Sequence, residues 1–541
     1  MRKKMGGCAG LFLFFVVFAV VRDTATAASF TSFSGRETCE SPQLLKPSSV
    51  EEIQNIIKNA RAKGQKVKAL GTRHASSDIN CGDDVSLDLA NFASVEIDSG
   101  EMQATVGVGA THEILLNSLL EQGYSVVHPS VKYPGLSVGG TLATGAHSSS
   151  LLHPASISDQ VVALTLVDGR GKVRKITGEK LKAANVNIGA LGIVIDVTIK
   201  IVENYKVSLD FIDRDDSILF NGEAVEWAKR QDYFEMSWFP SASRVVVFNG
   251  TYVNINTPGD GRVKFVLTTT PDFIGVLEQA NGDRNQAFFC GSEAANRDGL
   301  AFGKNGIPQS FNGNGEFSSK ITGTMKDVLT TFCPDGGCAW DNPGPKFISS
   351  TIEFAFDLNT LPQALLAVRN IIDRRPWCAI AAEGIQIRFM QKSDNYLSPS
   401  SGKDVGVFEI VIPLRQEENS SHFGMSTMQE IYQTMLLEFK GRPHWGKNGR
   451  SSFADPCPTM PELYPDWDKF MAVKEELDPE GVFENEFFRR LTRQQELPKF
   501  KFCAINDKCI CSENSHCAYD QICEPQVIGG KRVGICIDNF S

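Results

Sequence analysis

Five short stretches carry residue types that could do chemistry. Gly71-Thr72-Arg73-His74-Ala75-Ser76-Ser77-Asp78 follows the apolar run Val67–Leu70. A strand that ends in a small, polar loop turns several backbone N–H groups into one concavity, which suits a pyrophosphate. It is not the usual dinucleotide fingerprint, because no G-x-G-x-x-G opens a helix there. His74 sits inside the loop. Gly135-Leu136-Ser137-Val138-Gly139-Gly140-Thr141-Leu142-Ala143-Thr144-Gly145-Ala146-His147-Ser148 is rich in glycine, so a flat ligand can lie against backbone. Ser137, Thr141, Thr144 and Ser148 are expected to donate to ring or phosphate oxygens. Asn187-Ile188-Gly189-Ala190-Leu191-Gly192-Ile193-Val194 is a tight turn entering a strand. Gln386-Ile387-Arg388-Phe389 places residues 386 and 388 on one strand face. Arg442-Pro443-His444-Trp445-Gly446-Lys447 gathers an imidazole, an indole and an ammonium within four residues.

The surrounding pattern supplies elements to hold these stretches. Pro47-Ser48-Ser49 followed by Glu51 and Glu52 predicts a capped helix with Ile53, Ile56 and Ile57 on its apolar face. Strands are predicted at 67–70, 104–108, 160–167 and 193–202, with a hairpin turn at 168–171. Thr111 opens a helix whose Leu115, Leu116, Leu119 and Leu120 recur at helical spacing. Farther on, 347–358 and 405–414 read as strands and 361–372 as a helix. The alternation predicts an α+β chain with a first domain over 28–205, a second over 206–440, a returning segment at 441–498 and a cysteine-rich tail at 499–541.

The chain has 541 residues, more than one core normally serves. A net charge of −10 argues against nucleic-acid or anionic-membrane partners. Arg2, Lys3 and Lys4 precede an apolar run from Leu11 to Val21 and the small residues Ala25-Thr26-Ala27. That order is a secretory signal over 1–27, too short for a membrane span, so an integral membrane protein is not expected. Secretion implies the extracellular space, the cell wall or the vacuole. It also implies disulfides among the 13 cysteines left of 14 once Cys8 departs, six of them between Cys503 and Cys536. Their pairing cannot be read from spacing, and the spacing is not a standard zinc pattern, so no metal is expected. Asn249, Asn419 and Asn539 begin glycan acceptor tripeptides. The tail lies beyond the returning segment and is expected to be a separate module, too small to share the core.

Taken together, the order of these stretches resembles the vanillyl-alcohol-oxidase type of FAD flavoprotein, through residues 67–77, 135–149, 156–169 and 187–199. The first loop resembles the sugar-1,4-lactone oxidase branch, which commonly reads G-x-G-H-S-P-S-D-I. Arg73, Ala75 and Ser76 are departures. His-Trp-x-Lys at 444–447 and Asp478-Pro479-Glu480-Gly481-Val482-Phe483-Glu484-Asn485 are similar to later segments of that branch, and the likeness spans about residues 40–497. The tail, with Cys511-Ser512-Glu513 and His516-Cys517-Ala518, resembles that of plant gulonolactone-oxidase-like proteins. The resemblance implies a two-part FAD-binding domain, a substrate (cap) domain and FAD bonded covalently to His74. Gly71, Thr72, Arg73, Ala75, Ser76, Gly139, Gly140, Thr141, Thr144, Gly145, His147, Ser148, Gly189, Gly192 and Val194 are the implied cofactor contacts. It implies oxidation of a sugar-lactone hydroxyl, with O2 or another electron acceptor. Lys447 and Arg388 would place positive charge beside substrate and ring, with Gln386 and His444 nearby. Gln386 stands where the branch has a glutamate, which leaves the proton acceptor open; Glu383 and Glu409 are nearby acids that spacing does not select. A carbohydrate or cytokinin oxidase on the same scaffold remains an alternative, as does a non-catalytic secreted binding protein.

Overall fold

The computed structural model describes residues 26–32, 34–264, 285–304, 309–331, 349–374, 384–413 and 424–539, with a few positions between 276 and 283. Most of the signal segment, Asn419 and Glu383 lie outside them. Three large sheets organise an α+β fold. The first has the order β1 (Thr26–Thr31), β2 (Thr38–Leu45), β4 (Val85–Asp88), β3 (Val67–Leu70), with β2, β4 and β3 parallel. The disulfide Cys39–Cys81 ties β2 to the turn before β4. The second runs β5 (Val95–Asp98), β6 (Gln103–Gly107), β10 (Ile193–Glu203), β8 (Val161–Val167), β9 (Val173–Ile176), and β7 (Tyr124–Val126) also pairs with β10.

Local sequence explains the helices that cover these sheets. Helix α1 (Val50–Ala62) starts where Ser49 accepts from the Glu52 N–H, and it buries Ile53, Ile57 and Ala60. Helix α2 (His112–Glu121) is capped by Thr111 and buries Leu115, Leu116 and Leu119. The glycine-rich stretch forms a short helix, α3 (Val138–Thr144), which ends on Gly145 in the left-handed conformation.

After β10 a single residue, Asn204, leads into β11 (Tyr205–Asp215) and the third sheet. Its strands are β12 (Tyr233–Phe239), β13 (Arg244–Asn254), β16 (Lys320–Thr324), β17 (Ser349–Asp357), β18 (Ile385–Met390), β19 (Val405–Pro413) and β20 (Arg442–Pro443). They lie in the order β16-β11-β13-β12-β18-β19-β17-β20. A two-stranded pair, β14 (Arg262–Val263) and β15 (Ser310–Phe311), flanks it. Alternation decides what each face does. Phe234, Met236, Trp238, Ile352, Phe354, Ile385, Ile387, Phe408 and Ile410 point to one side and form a core with the helices Leu361–Arg374 and Met425–Leu437. The residues between them point the other way, toward the first two sheets.

The tail departs from expectation. Its cysteines pair as Cys503–Cys509, Cys511–Cys523 and Cys517–Cys536, around the hairpin β21 (Gln521–Ile528) and β22 (Lys531–Asp538). It is not a module apart from the core. Ile528, Val533 and Ile535 complete the core behind the third sheet, and the Cys536 N–H donates to Gln429 of the helix Met425–Leu437 at 3.0 Å. Every residue of that helix is buried, because the hairpin covers the side that the sheet does not. Asn249 also departs from expectation. It lies half-buried in β13, a strand paired on both sides, and not in the exposed loop that an acceptor tripeptide suggests. No described helix is long and apolar enough to cross a membrane.

Candidate active site

Three segments far apart in sequence meet at one cavity of about 480 Å³. The loop 71–77 docks on the start of α3. The Thr72 N–H donates to Ser137 Oγ at 3.2 Å, and the Ser137 N–H donates back to Thr72 Oγ1 at 3.1 Å. A side chain at 71 would foul this contact, since a Cβ there would lie 2.1 Å from Ser137 Oγ. On its other side the loop meets the His-Trp-x-Lys segment: the Ser76 N–H donates to the Gly446 carbonyl at 2.7 Å, and Ser77 Oγ to that of Trp445 at 2.7 Å. Trp445 is fully buried, stacked on Phe453 and Tyr464, and it anchors that segment.

Gly71, Thr72, Arg73, His74, Ala75, Gly140, Thr141, Thr144, His147 and Ser148 line one wall of the cavity. Arg73 holds φ at 60°, a conformation that costs a residue with a Cβ roughly 1–2 kcal/mol and explains why glycine suits this place. Ser76, Gly139, Gly145, Gly189, Gly192 and Val194 stand behind the wall. A Cβ at Gly139 would lie 2.8 Å from that of Val108, and one at Gly192 would lie 2.7 Å from the Val167 carbonyl, so these glycines allow packing. The expected hydroxyl donors at 141 and 144 are spent. Thr141 Oγ1 donates within α3 to the carbonyls of Ser137 and Val138, and Thr144 Oγ1 to that of Gly140.

The opposite wall is the free face of the third sheet. Register places Ser237, Gln386, Glu409 and Glu353 in one row across β12, β18, β19 and β17. Gln386 Nε2 donates to Ser237 Oγ at 2.9 Å. Glu353 and Glu409 are directly opposed, an arrangement that repels unless cations intervene. Two do. Lys447 Nζ lies 2.6 Å from Glu353 Oε2 and 2.8 Å from Glu409 Oε1. Arg388 lies 3.1 Å from Glu353, 2.7 Å from Glu409 and 3.4 Å from Glu235. Lys132 adds a third cation, 2.7 Å from Glu235, whose other oxygen accepts from Tyr233. Burial opposes charge on Glu353 and Glu235, yet the adjacent cations, led by Lys447 and Lys132 respectively, hold both carboxyls below their ordinary range. Glu409, with Glu235 and Glu353, holds the guanidinium of Arg388 firmly protonated against its burial.

Two imidazoles complete the site. Burial pushes His444 down to about 3, so its ring is neutral. The Gly446 N–H donates to its Nδ1 at 3.0 Å, which leaves the ring proton on Nε2. His147 Nδ1 donates to the Ser148 carbonyl at 2.9 Å, and its Nε2 lies 3.0 Å from Glu353 Oε1.

Lys447 and Arg388 thus line the cavity as expected, but their charge is compensated by three carboxylates. Loss of Lys447 would remove a cation from the fully buried Glu353. Glu235, Glu353 and Lys132 were absent from the sequence reading. A usable signal existed: each acid sits between large apolar residues, Phe234 and Met236 or Ile352 and Phe354, where an unpaired carboxylate would be costly.

The comparisons with known proteins fit this geometry. Residues 42–177 match the family described as FAD binding domain, and residues 345–491 match D-arabinono-1,4-lactone oxidase. The chain is an L-gulonolactone oxidase-like FAD oxidoreductase. This oxidoreductase is 27% identical to L-gulonolactone oxidase 5 of Arabidopsis thaliana, over 92% of its own length and 89% of that protein. It is 25% identical to L-gulonolactone oxidase of Bos taurus and to L-gulono-1,4-lactone dehydrogenase of Mycobacterium tuberculosis, each over 85% of its length and 98% of theirs. Among solved structures it is similar to cholesterol oxidase of Brevibacterium sterolicum, with a TM-score of 0.68 at 15% identity over 86% of this chain and 97% of that one. The residues present suit FAD. Gly71 and Gly140 keep one wall low enough for backbone to meet a flat ring, and His74 reaches the same cavity.

Proposed function

We propose that this flavoprotein oxidises a hydroxyl of an aldonolactone of the L-gulono-1,4-lactone type, towards ascorbate, with FAD bonded covalently through His74 and O2 as the acceptor. The observation that carries the reading is the row of paired charges on the third sheet, facing the His74 loop across one cavity. Such a face offers fixed donors to the several oxygens of a lactone. Arg388 presents a planar fork of N–H groups, and Lys447, the more exposed of the two, a compact ammonium. Both are held by carboxylates before substrate arrives, so binding need not reorganise them. His444, neutral, offers its Nε2–H. When bound, FAD accepts the hydride from the carbinol carbon. The names of the relatives support the lactone and the oxidase reading; the mycobacterial relative, called a dehydrogenase, makes the acceptor a matter for measurement.

A second reading follows from the length of the cavity. Its sheet wall runs from Leu209 on β11 and Phe248 on β13 to Glu409 on β19, four strand spacings or about 19 Å. The β11 end is apolar, with Val263, Leu300 and Val328 beside it. A substrate carrying an apolar group would use that end, which a sugar lactone does not need.

Anaerobic mixing of the purified protein with L-gulono-1,4-lactone tests the first reading: the yellow flavin should bleach, and a second phase with O2 should restore it. No bleaching by the lactone, with bleaching by an apolar alcohol such as cholesterol, would transfer the proposal to the second reading. After acid precipitation the colour should stay with the wild-type protein and leave His74→Ala; colour retained by the variant would refute attachment at His74. Export through the secretory pathway belongs to the same proposal and rests on residues 1–27. A full-length amino terminus on protein recovered from the medium would contradict removal of that segment.

A further inference from the structure

We propose that Glu409 is the proton acceptor for the substrate hydroxyl. The proposal rests on the lactone-oxidation reading above. Gln386 and Glu409 are register partners on β18 and β19, on the same face of the sheet. The Glu409 carboxylate therefore stands one strand spacing, about 5 Å, from the place the Gln386 amide holds.

The other bases in the site are engaged. Glu353 and Glu235 are 1% exposed in their side chains and lie behind the wall, bound to their cations. Among the described residues that line the cavity, Glu409 is the only carboxylate. The lone pair on His444 Nδ1 takes the Gly446 N–H, and His147 Nε2 is taken up by Glu353. The Tyr233 hydroxyl is committed to Glu235. Glu409 has Arg388 on one oxygen and Lys447 on the other, which leaves lone pairs on both.

Charge bookkeeping favours the same group. Glu235, Glu353 and Glu409 meet Lys132, Arg388 and Lys447, three charges against three. As the carbinol C–H bond breaks, its electron pair leaves with the hydrogen for the flavin, the O–H bond breaks, C=O forms, and the proton passes to Glu409. The wall becomes one unit more positive as negative charge arrives on the ring opposite. A glutamate at 386 as well would put three carboxylates in adjacent places of one row without a further cation. The amide, bonded to Ser237, avoids that.

The test compares wild type, Glu409→Gln and the exchange Gln386→Glu/Glu409→Gln, reduced anaerobically by L-gulono-1,4-lactone. Loss of a positioned base slows proton transfer by about 10²–10⁴-fold. Glu409→Gln should show that loss with unchanged flavin content, and the exchange should recover most of it. Infrared difference spectra on reduction should show a protonated carboxyl in wild type that is missing in Glu409→Gln. If Glu409→Gln fails to retain flavin, Glu409→Asp keeps the charge and should still slow reduction. Equal reduction of wild type and variant, or an unchanged carboxyl band, would overturn the assignment of Glu409 alone. A wild type that no aldonolactone reduces would overturn the lactone reading, and this assignment with it.

Discussion

The two walls of the cavity are made differently. The wall at 71–77 and 137–148 is shaped by what is missing from it. Gly71 and Gly140 keep backbone close to the cavity, and the hydroxyls of Thr141 and Thr144 turn inward to their own helix. The sheet wall is shaped by what is added. It carries six charged side chains from β12, β18 and β19 and the segments holding Lys132, Glu353 and Lys447. One wall is a constraint on backbone, the other a constraint on charge balance. Adding a methyl should damage the first, and deleting a charge should damage the second.

The largest effect is expected at Arg388. Arg388→Met leaves three carboxylates with two lysines, and breaking a buried pair in this way costs about 3–5 kcal/mol. Denaturant unfolding should report that loss. A loss below about 1 kcal/mol, the level of an exposed ion pair, would mean that water reaches the row freely. Gly71→Ala should come next. Its Cβ must displace Ser137 and lift the loop from α3, at about 1–3 kcal/mol, and flavin retention should fall further than stability does. If flavin is held normally, the loop tolerates more bulk than this geometry allows.

A further effect is seen only with pH. Burial pushes His112 down to about 4 and His128 and His444 to about 3. Between those values and about 6.5 the unfolded chain binds more protons than the folded one, so stability is complete above about 6.5 and declines as pH falls. Urea midpoints should drop from pH 7 to pH 5. His112→Gln should flatten part of that slope without touching the charged row. A flat profile would show that these rings are protonated in the fold.

What could be read from sequence follows the same division. The loop around His74, the Ser49 cap of α1 and the shared face of residues 386 and 388 are local patterns, complete within a few residues. The row of Glu353, Glu409, Gln386 and Ser237 joins positions up to 172 apart by register alone (409 − 237). Nothing in the linear order announces that register. Glu409 was visible as a nearby acid, and only its cross-strand partner gives it a place. The tail misled for a related reason: cysteine density suggests self-sufficiency, while Ile528, Val533 and Ile535 reveal their role only against a helix some 90 residues earlier.

That hairpin has a consequence for how the molecule is made. A ribosome releases the chain from its amino end, and the loop at 71–77 emerges early. Yet the loop is fastened by the carbonyls of Trp445 and Gly446, and β3 is joined through the Val67 N–H to the Val482 carbonyl at 2.8 Å. The core behind the sheet waits longer still, for Ile535. The nascent chain therefore has no finished cavity until Ile535 has emerged, however early the loop at 71–77 is made.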